Sequence, residues 1–344
     1  MNYLISFGRR NLNIIQLILV LLILSGTIYG MNPRFLSAVN ISNLLGQMVT
    51  LLIVALGMTI IIINGEFDIS VGSLVGLTGA VMGWVLVVMP AAYASPFWEA
   101  HPILLIVVGI GGGLVVGPAL AILSGLLVTQ FLIPSFIVTL GMLMIARSLT
   151  LVVTGGQPIA GIPEGLKAFG VSRPVEIPIP FVDAGLRLPA VFLVAVLIYI
   201  AGWFLMNRMA FGRKVYSVGA NPTVARLAGI NTTRVKLKCF AIVGLCASIA
   251  GVLNVMRIGA VSPNSGQGLE FEVIAAVVIG GTSLMGGRGT VLGTVLGVVI
   301  IVLIRNFLNL ARIDIFWQDF ATGAIIMMAV ILNALQRRVS GASS

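Results

Sequence analysis

Few side chains in this sequence can do acid–base or ligand chemistry, and their placement limits what that chemistry is. Glu66 and Asp68 stand two apart between long apolar runs, in Ile63-Asn64-Gly65-Glu66-Phe67-Asp68-Ile69-Ser70-Val71-Gly72-Ser73. A carboxylate left in hydrocarbon costs several kcal/mol, so the pair must face water, a cation or the interior of a bundle. Two readings stand side by side. In one, Gly65 and Gly72 let the backbone bend, and Asn64, Glu66, Asp68, Ser70 and Ser73 line or gate a path. In the other, the segment is a loop at the membrane face with solvated acids. Arg288 is a candidate ion-pair partner for either acid.

The remaining reactive side chains point away from catalysis. His101, the only histidine, lies beside Pro102 in an expected external loop. Cys239 and Cys246 sit seven apart in one apolar run, with no His or Cys at metal-ligand spacing, so neither a disulfide nor a metal site is expected. An intramembrane enzyme needs a nucleophile–base pair or metal ligands within the bundle, and neither is evident. The sequence also holds no Gly-Lys pair, and therefore no phosphate-binding loop of the Gly-x-x-x-x-Gly-Lys-Ser/Thr type. Any ATP and Mg chemistry must sit on a partner, with no cofactor on this chain.

The elements that would position these residues are membrane helices. Of 344 residues, 59% are hydrophobic and 9% charged, against about 25% charged in a soluble domain. The expected class is an all-α polytopic membrane protein, a single transmembrane domain over 1–344. Spans are expected near 14–30, 43–64, 71–89, 103–128, 135–153, 189–207, 238–257, 272–285, 290–310 and 316–335. The eighth is short and glycine-ended, with the character of a half-helix. Pro134 biases Ile133 away from helix and divides the long uncharged stretch after Pro102. Arg9-Arg10 followed by an apolar run also fits a signal peptide, but no small-x-small cleavage site followed by a soluble region is seen.

The net charge of +10 does not indicate nucleic acid, because the basic residues flank apolar spans and no aromatic-plus-basic platform occurs. Arg208, Arg213, Lys214, Arg226, Arg234, Lys236 and Lys238 form one acid-free segment, and Arg9-Arg10 and Arg337-Arg338 form two more. The positive-inside rule puts all three in the cytoplasm, with both termini inside. The loop 154–188 then falls outside. Its charges balance, and five prolines suggest an ordered, non-helical cap.

Two segments resemble each other. Ile63–Gly76 and Ile279–Gly293 both run from apolar helix through a glycine and polar break to Gly-Ser/Thr-x-x-Gly or its equivalent and another apolar helix. Transporters are often built from such halves, with broken helices beside the solute path. Thr282, Ser283 and Arg288 of the second break join the candidate path or gate residues.

Within the basic segment, Asn221 is a good N-cap, Pro222 fits the first helical position, and Gly229 is a natural terminator. A short helix over 223–228 is expected, with Val224, Leu227 and Ile230 as an apolar stripe. It would either lie on a lipid surface or enter a groove on a partner protein.

The order Gly212-Arg213-x-x-Tyr216-x-x-Gly219-x-Asn221-x-x-x-Ala225-x-x-x-Gly229-Ile230 resembles the coupling loop of the ribose/galactose-type ABC importer permeases. Gly65 to Ser73 and Glu270 to Gly289 match two further motifs of that family, and Pro134 to Gly141 is also similar to it. Glu66 stands where the family most often has an apolar residue, so the resemblance does not carry a substrate identity with it. The resemblance implies a second permease copy or paralogue sharing a central path, and ABC ATPase subunits docked on the coupling loops (208–236). It also implies a periplasmic sugar-binding protein that delivers the solute, and a bacterial inner-membrane setting. Gly212, Arg213, Asn221, Thr223, Ala225, Arg226, Gly229 and Ile230 are the expected coupling residues. Phe136 and the Ser, Thr and Asn side chains of the two breaks are the expected solute contacts. A branched-chain amino-acid permease of the same superfamily and an autonomous secondary transporter are the alternatives.

Overall fold

The computed structural model describes residues 12–314 except 94–95 and 179–184, and scattered positions from 316 to 331. Among these, eight helices are long and apolar enough to cross a membrane. They are α1 (Leu12–Met31), α2 (Ala38–Ile63), α3 (Val71–Tyr93), α4 (Pro102–Phe131), α5 (Ser135–Thr154), α7 (Ala190–Asn207), α10 (Thr232–Ile258) and α12 (Val291–Leu310). Between them lie α6 (Glu164–Val171), α8 (Ala210–Ala220), α9 (Pro222–Leu227) and α11 (Leu269–Ile279). Apolar composition drives every long helix: with hydrocarbon as solvent, backbone groups must be satisfied within the segment.

The expectation of ten spans is thus modified. The stretch 272–285 is not a span but the eleven-residue α11, followed by the turns of 280–290. The expected tenth span, 316–335, lies largely outside the described residues. The described residues of the loop 154–188 are not free of helix. Its prolines bracket α6 rather than interrupt it: Pro163 precedes the first helical residue and Pro174 follows the last turn. The rest of the loop holds a small hairpin of β2 (Val175–Ile177) with β3 (Leu186–Leu188). β1 (Ile159–Ala160) pairs with β4 (Ala260–Val261).

The core sits on α2, α3 and α10. In the most apolar window of α2, 89% of residues are buried, against 22% in α4 and in α5. A buried Ile-rich run from Ile60 to Ile63 ends α2. The outer helices instead expose large apolar side chains such as Ile103, Val107 and Leu197, as lipid-facing surfaces do.

Close approach of backbones replaces hydrophobic driving force between helices in such a bundle. On α4, Gly109, Gly113, Gly117, Ala121 and Gly125 recur every fourth residue and are all buried. A Cβ on Gly117 would lie 2.2 Å from the Gly244 carbonyl oxygen of α10, and one on Gly244 would lie 2.4 Å from the Gly117 carbonyl oxygen. The Gly117 amide also donates to Ser248 Oγ at 2.9 Å. Gly117→Val is expected to force α4 and α10 apart and cost at least about 2 kcal/mol. Thermal unfolding in detergent checks this, with Gly26→Ala, which meets nothing within 4 Å, expected to leave the midpoint unchanged.

Candidate functional site

The acid-free segment folds as two helices and a turn. α8 turns Val215 and Val218 inward and leaves Arg213 and Lys214 exposed. The sequence reading missed α8 because its basic residues suggested a loop, although the 215/218 spacing was present. At Gly212 the chain folds back so tightly that a Cβ would meet the Met206 carbonyl oxygen at 2.0 Å.

The short helix α9 forms where capping chemistry calls for it. Asn221 Oδ1 accepts from the amides of Thr223 (3.0 Å) and Val224 (3.1 Å), and Pro222 occupies the first turn, where its missing N–H costs nothing. Gly229 ends the helix at φ +79°, and the Ile230 amide donates back to the Ala225 carbonyl at 3.0 Å. Ala225 is buried beneath the helix, and Ile230 is half-buried. Thr223, Val224, Arg226 and Leu227 face outward, Leu227 with 84% of its surface exposed.

The two glycine breaks meet α8 directly. After α2, Asn64 keeps helical angles, Gly65 turns to φ +86°, and the Glu66 amide donates to the Ile61 carbonyl at 3.1 Å. After α11, Gly280 keeps helical angles, Gly281 turns to φ +86°, and the Thr282 amide donates to the Val277 carbonyl at 3.1 Å. The two similar segments therefore terminate their first helices with the same cap. The breaks also touch: the Gly287 amide donates to the Ile63 carbonyl at 2.8 Å. α8 closes on both. A Cβ on Gly219 would sit 1.7 Å from the Ile63 carbonyl oxygen and 2.8 Å from the Gly287 nitrogen. Tyr216 donates its hydroxyl to the Gly289 carbonyl at 2.8 Å.

The acids of the first break have different surroundings. Glu66 is paired with Lys236, the fifth residue of α10, rather than with Arg288, which is exposed. Asp68 is fully buried, with one oxygen accepting from the Ser70 amide (2.9 Å) and the Ser70 hydroxyl (2.5 Å). Its other oxygen has no partner among the described residues. Ser73 is fully buried and donates to the Ser70 carbonyl at 2.7 Å. α5 holds the break from the side: Ser135 Oγ accepts from the Phe67 amide at 3.1 Å and Thr139 Oγ1 from the Ile69 amide at 3.2 Å. The sequence reading did not identify these two hydroxyls. Phe136, next to Ser135, is 54% exposed. Asn64 and Thr282 are buried with no partner for their side-chain polar atoms among the described residues. The Ser283 amide donates to the Arg288 carbonyl at 2.9 Å, closing the second break. The structure thus gathers both breaks and α8 at the basic end of the bundle. His101 lies elsewhere, exposed and stacked on Phe97, and Cys239 and Cys246 are buried and free.

Burial pushes the Asp68 carboxyl from its ordinary 3.8 up to about 6, against the two hydrogen bonds from Ser70 that lower it. The folded state therefore keeps a proton that the unfolded chain has released, and stability falls as pH rises from about 4 to about 6. The loss is expected to be of order 3 kcal/mol. Asp68→Asn removes it, so the thermal midpoint of the variant should gain on that of the native chain across this window and hold a constant lead above it. Parallel pH series of melting curves check the sign.

Comparison with known proteins fits this geometry. The family described as "Branched-chain amino acid transport system / permease component" matches residues 40–331. The ribose import permease protein RbsC of Escherichia coli K12 is 32% identical over 320 residues, 92% of each chain. RbsC of Bacillus subtilis strain 168 is 36% identical over 305 residues, covering 88% of this chain and 87% of that one. The xylose transport system permease protein XylH of Escherichia coli K12 is 32% identical over 386 residues, covering 97% of this chain and 95% of that one. No solved structure matches. The motifs of the two glycine breaks, the capped helix between α8 and α10 and the match over residues 40–331 lead to one conclusion: this chain is a multi-pass membrane permease of the branched-chain amino acid transport system / permease component family.

Proposed function

We propose that this chain is the permease subunit of a binding-protein-dependent ABC importer that moves a monosaccharide or sugar-like solute across the inner membrane. ATP hydrolysis takes place on a separate ATPase subunit. The basic end, with both termini, faces the cytoplasm, and the loop 154–188 faces the periplasm, where a sugar-binding protein delivers solute. The names of the ribose and xylose relatives favour a sugar over an amino acid.

The observation that carries the reading is α9. A capped six-residue helix stands on the basic end with Val224 59% and Leu227 84% exposed. Two apolar side chains held rigidly in water among basic residues have the form of the anchor of a docked helix, which supplies most of its energy through a few buried contacts. Behind it, α8 abuts both glycine breaks through Gly219 and Tyr216. A push on the 208–236 loop therefore reaches the ends of α2 and α11 without passing through flexible chain. In this mechanism Gly212, Arg213, Asn221, Thr223, Ala225, Arg226, Gly229 and Ile230 shape and present the handle. Asn64, Glu66, Asp68, Ser70, Ser73, Thr282, Ser283 and Arg288 form the gate that the handle works. Phe136 offers a face to the path. Two permease copies, or this chain and a paralogue, enclose that path. ATPase closure switches it between outward- and inward-facing states, a rigid-body change between two packings.

The test is ATP-driven uptake of labelled ribose and of labelled xylose by vesicles holding the permease, its ATPase and its binding protein. Leu227→Asp and Ala225→Arg are each expected to lower uptake at least about tenfold, the loss of roughly 1.4 kcal/mol of docking energy, while the chain still inserts. Native rates in both variants would remove the docking claim. Uptake that persists without ATP or the ATPase would favour an autonomous transporter.

A further inference from the structure

Chemistry outside the basic-end junction concentrates in residues 259–268, which join α10 to α11. Apart from the β1–β4 pairing they are not regular structure, yet they lie alongside a membrane helix. A Cβ on Gly83 of α3 would meet the Val261 side chain at 2.6 Å. One on Gly76 would meet the Ser265 carbonyl oxygen at 2.5 Å, and one on Gly72 the Gly266 carbonyl oxygen at 2.3 Å. Gly83 to Gly72 is about 16 Å of helix rise, roughly half of the ~30 Å hydrocarbon thickness. The irregular segment therefore runs through the depth of the bundle, beside a helix that is itself long and apolar enough to span.

Non-helical backbone at that depth persists only where protein buries it or water meets it. Here the segment divides by side chain. Val261, Pro263 and Leu269 are buried, whereas Ser262, Asn264 and Gln267 are exposed. Three exposed hydrogen-bonding side chains in a row are incompatible with lipid. The segment is also tied in place. Arg147, twelve residues into α5, donates from Nη1 to the Ser265 carbonyl at 3.2 Å. Glu270, 5% exposed in the first turn of α11, lies within electrostatic reach of Arg147. Its Oε2 has no hydrogen-bond partner among the described residues. Two residues on, Glu272 pairs with Arg305 of α12 at 2.7 Å. Each of the two acids thus faces an arginine.

We propose that Ser262, Asn264 and Gln267 form the solute-contacting wall of the translocation path, a weak site for a neutral polyhydroxylated solute. The inference rests on the import reading and supplies the place where the solute passes. A hydroxyl and two carboxamides each offer both a donor and an acceptor, which is what vicinal hydroxyl groups require. The charge balance of Arg147, Glu270, Glu272 and Arg305 gives an anionic or cationic solute no counter-charge to gain. The gate at the basic end and the solute wall are then separate places, joined by α11.

The experiment places single cysteines at Ser262→Cys, Asn264→Cys and Gln267→Cys in the assembled importer. Cys239 and Cys246, being buried, supply a silent background. A membrane-impermeant, sulfonated methanethiosulfonate reagent is expected to modify all three, but not Leu197→Cys on an outward apolar face. Modification is expected to lower uptake of the transported pentose at least tenfold while ATP hydrolysis continues. Asn264→Ser, which keeps a donor and an acceptor, is expected to keep more than half of native uptake, and it reads the site where a cysteine variant fails to assemble. Cysteines that stay unmodified in an importer running at native rates would overturn the proposal, as would full modification with unchanged uptake. The first outcome would place 262–268 in a dry contact between permease copies. Absence of ATP-driven uptake by the native chain would instead overturn the import reading on which the proposal stands.

Discussion

In a solvent that offers no hydrogen bonds, every backbone amide and carbonyl of this chain must be answered by the chain itself. That constraint makes the long segments helical. It also decides where the helices are allowed to stop. α2 and α11 each end in a left-handed glycine that returns the following amides to the last turn, answering the carbonyls of Ile60, Ile61 and Ile62 in one and of Ala276, Val277 and Val278 in the other. The remaining carbonyl of Ile63 is taken by Gly287 from the opposite break. Side chains serve where backbone cannot: Ser135 and Thr139 reach from α5 to the amides of Phe67 and Ile69. The same economy fixes the packing between helices, where the glycines of α4 and α10 bring backbones within reach of each other.

Electrostatics follow the same rule. Glu66 is paired with Lys236 and Glu272 with Arg305, and Asp68 is held by Ser70. Breaking such a pair from one side leaves the other charge stranded, which is more costly than never having had it. The acids are therefore tied to geometry. Glu66 and Glu272 each report that two distant segments meet.

Local chemistry was readable in the sequence, and long-range partnership was not. Asn221, Pro222 and Gly229 specify α9 to within one residue at each end, because capping acts within a turn. Eight of the ten expected spans follow from runs of apolar residues, and the shortness of the eighth already signalled the eleven-residue α11. The amphipathic α8 was concealed by its basic residues. The loop helix α6 was concealed by prolines that turn out to flank it. The partner of Glu66 is 170 positions away, and sequence similarity between the two breaks pointed to Arg288 instead. Arg147 is a lone charge inside an apolar span, a signal present in the charge pattern. Its contacts with Ser265 and Glu270 depend on an irregular segment that no periodicity describes.

One element connects the two ends of the molecule. α10 runs for 27 residues from Thr232 to Ile258, about 40 Å at 1.5 Å per residue. Near its start Lys236 meets the basic-end break, and at its far end Gly259 opens the irregular segment beside α3. A helix resists stretching, because lengthening it means breaking a continuous ladder of hydrogen bonds. Its two ends therefore move together, like those of a push-rod. A shift of an ångström where Lys236 grips Glu66 would arrive almost undiminished at Gly259, and the polar, irregular segment that follows would change its depth relative to the surrounding wall.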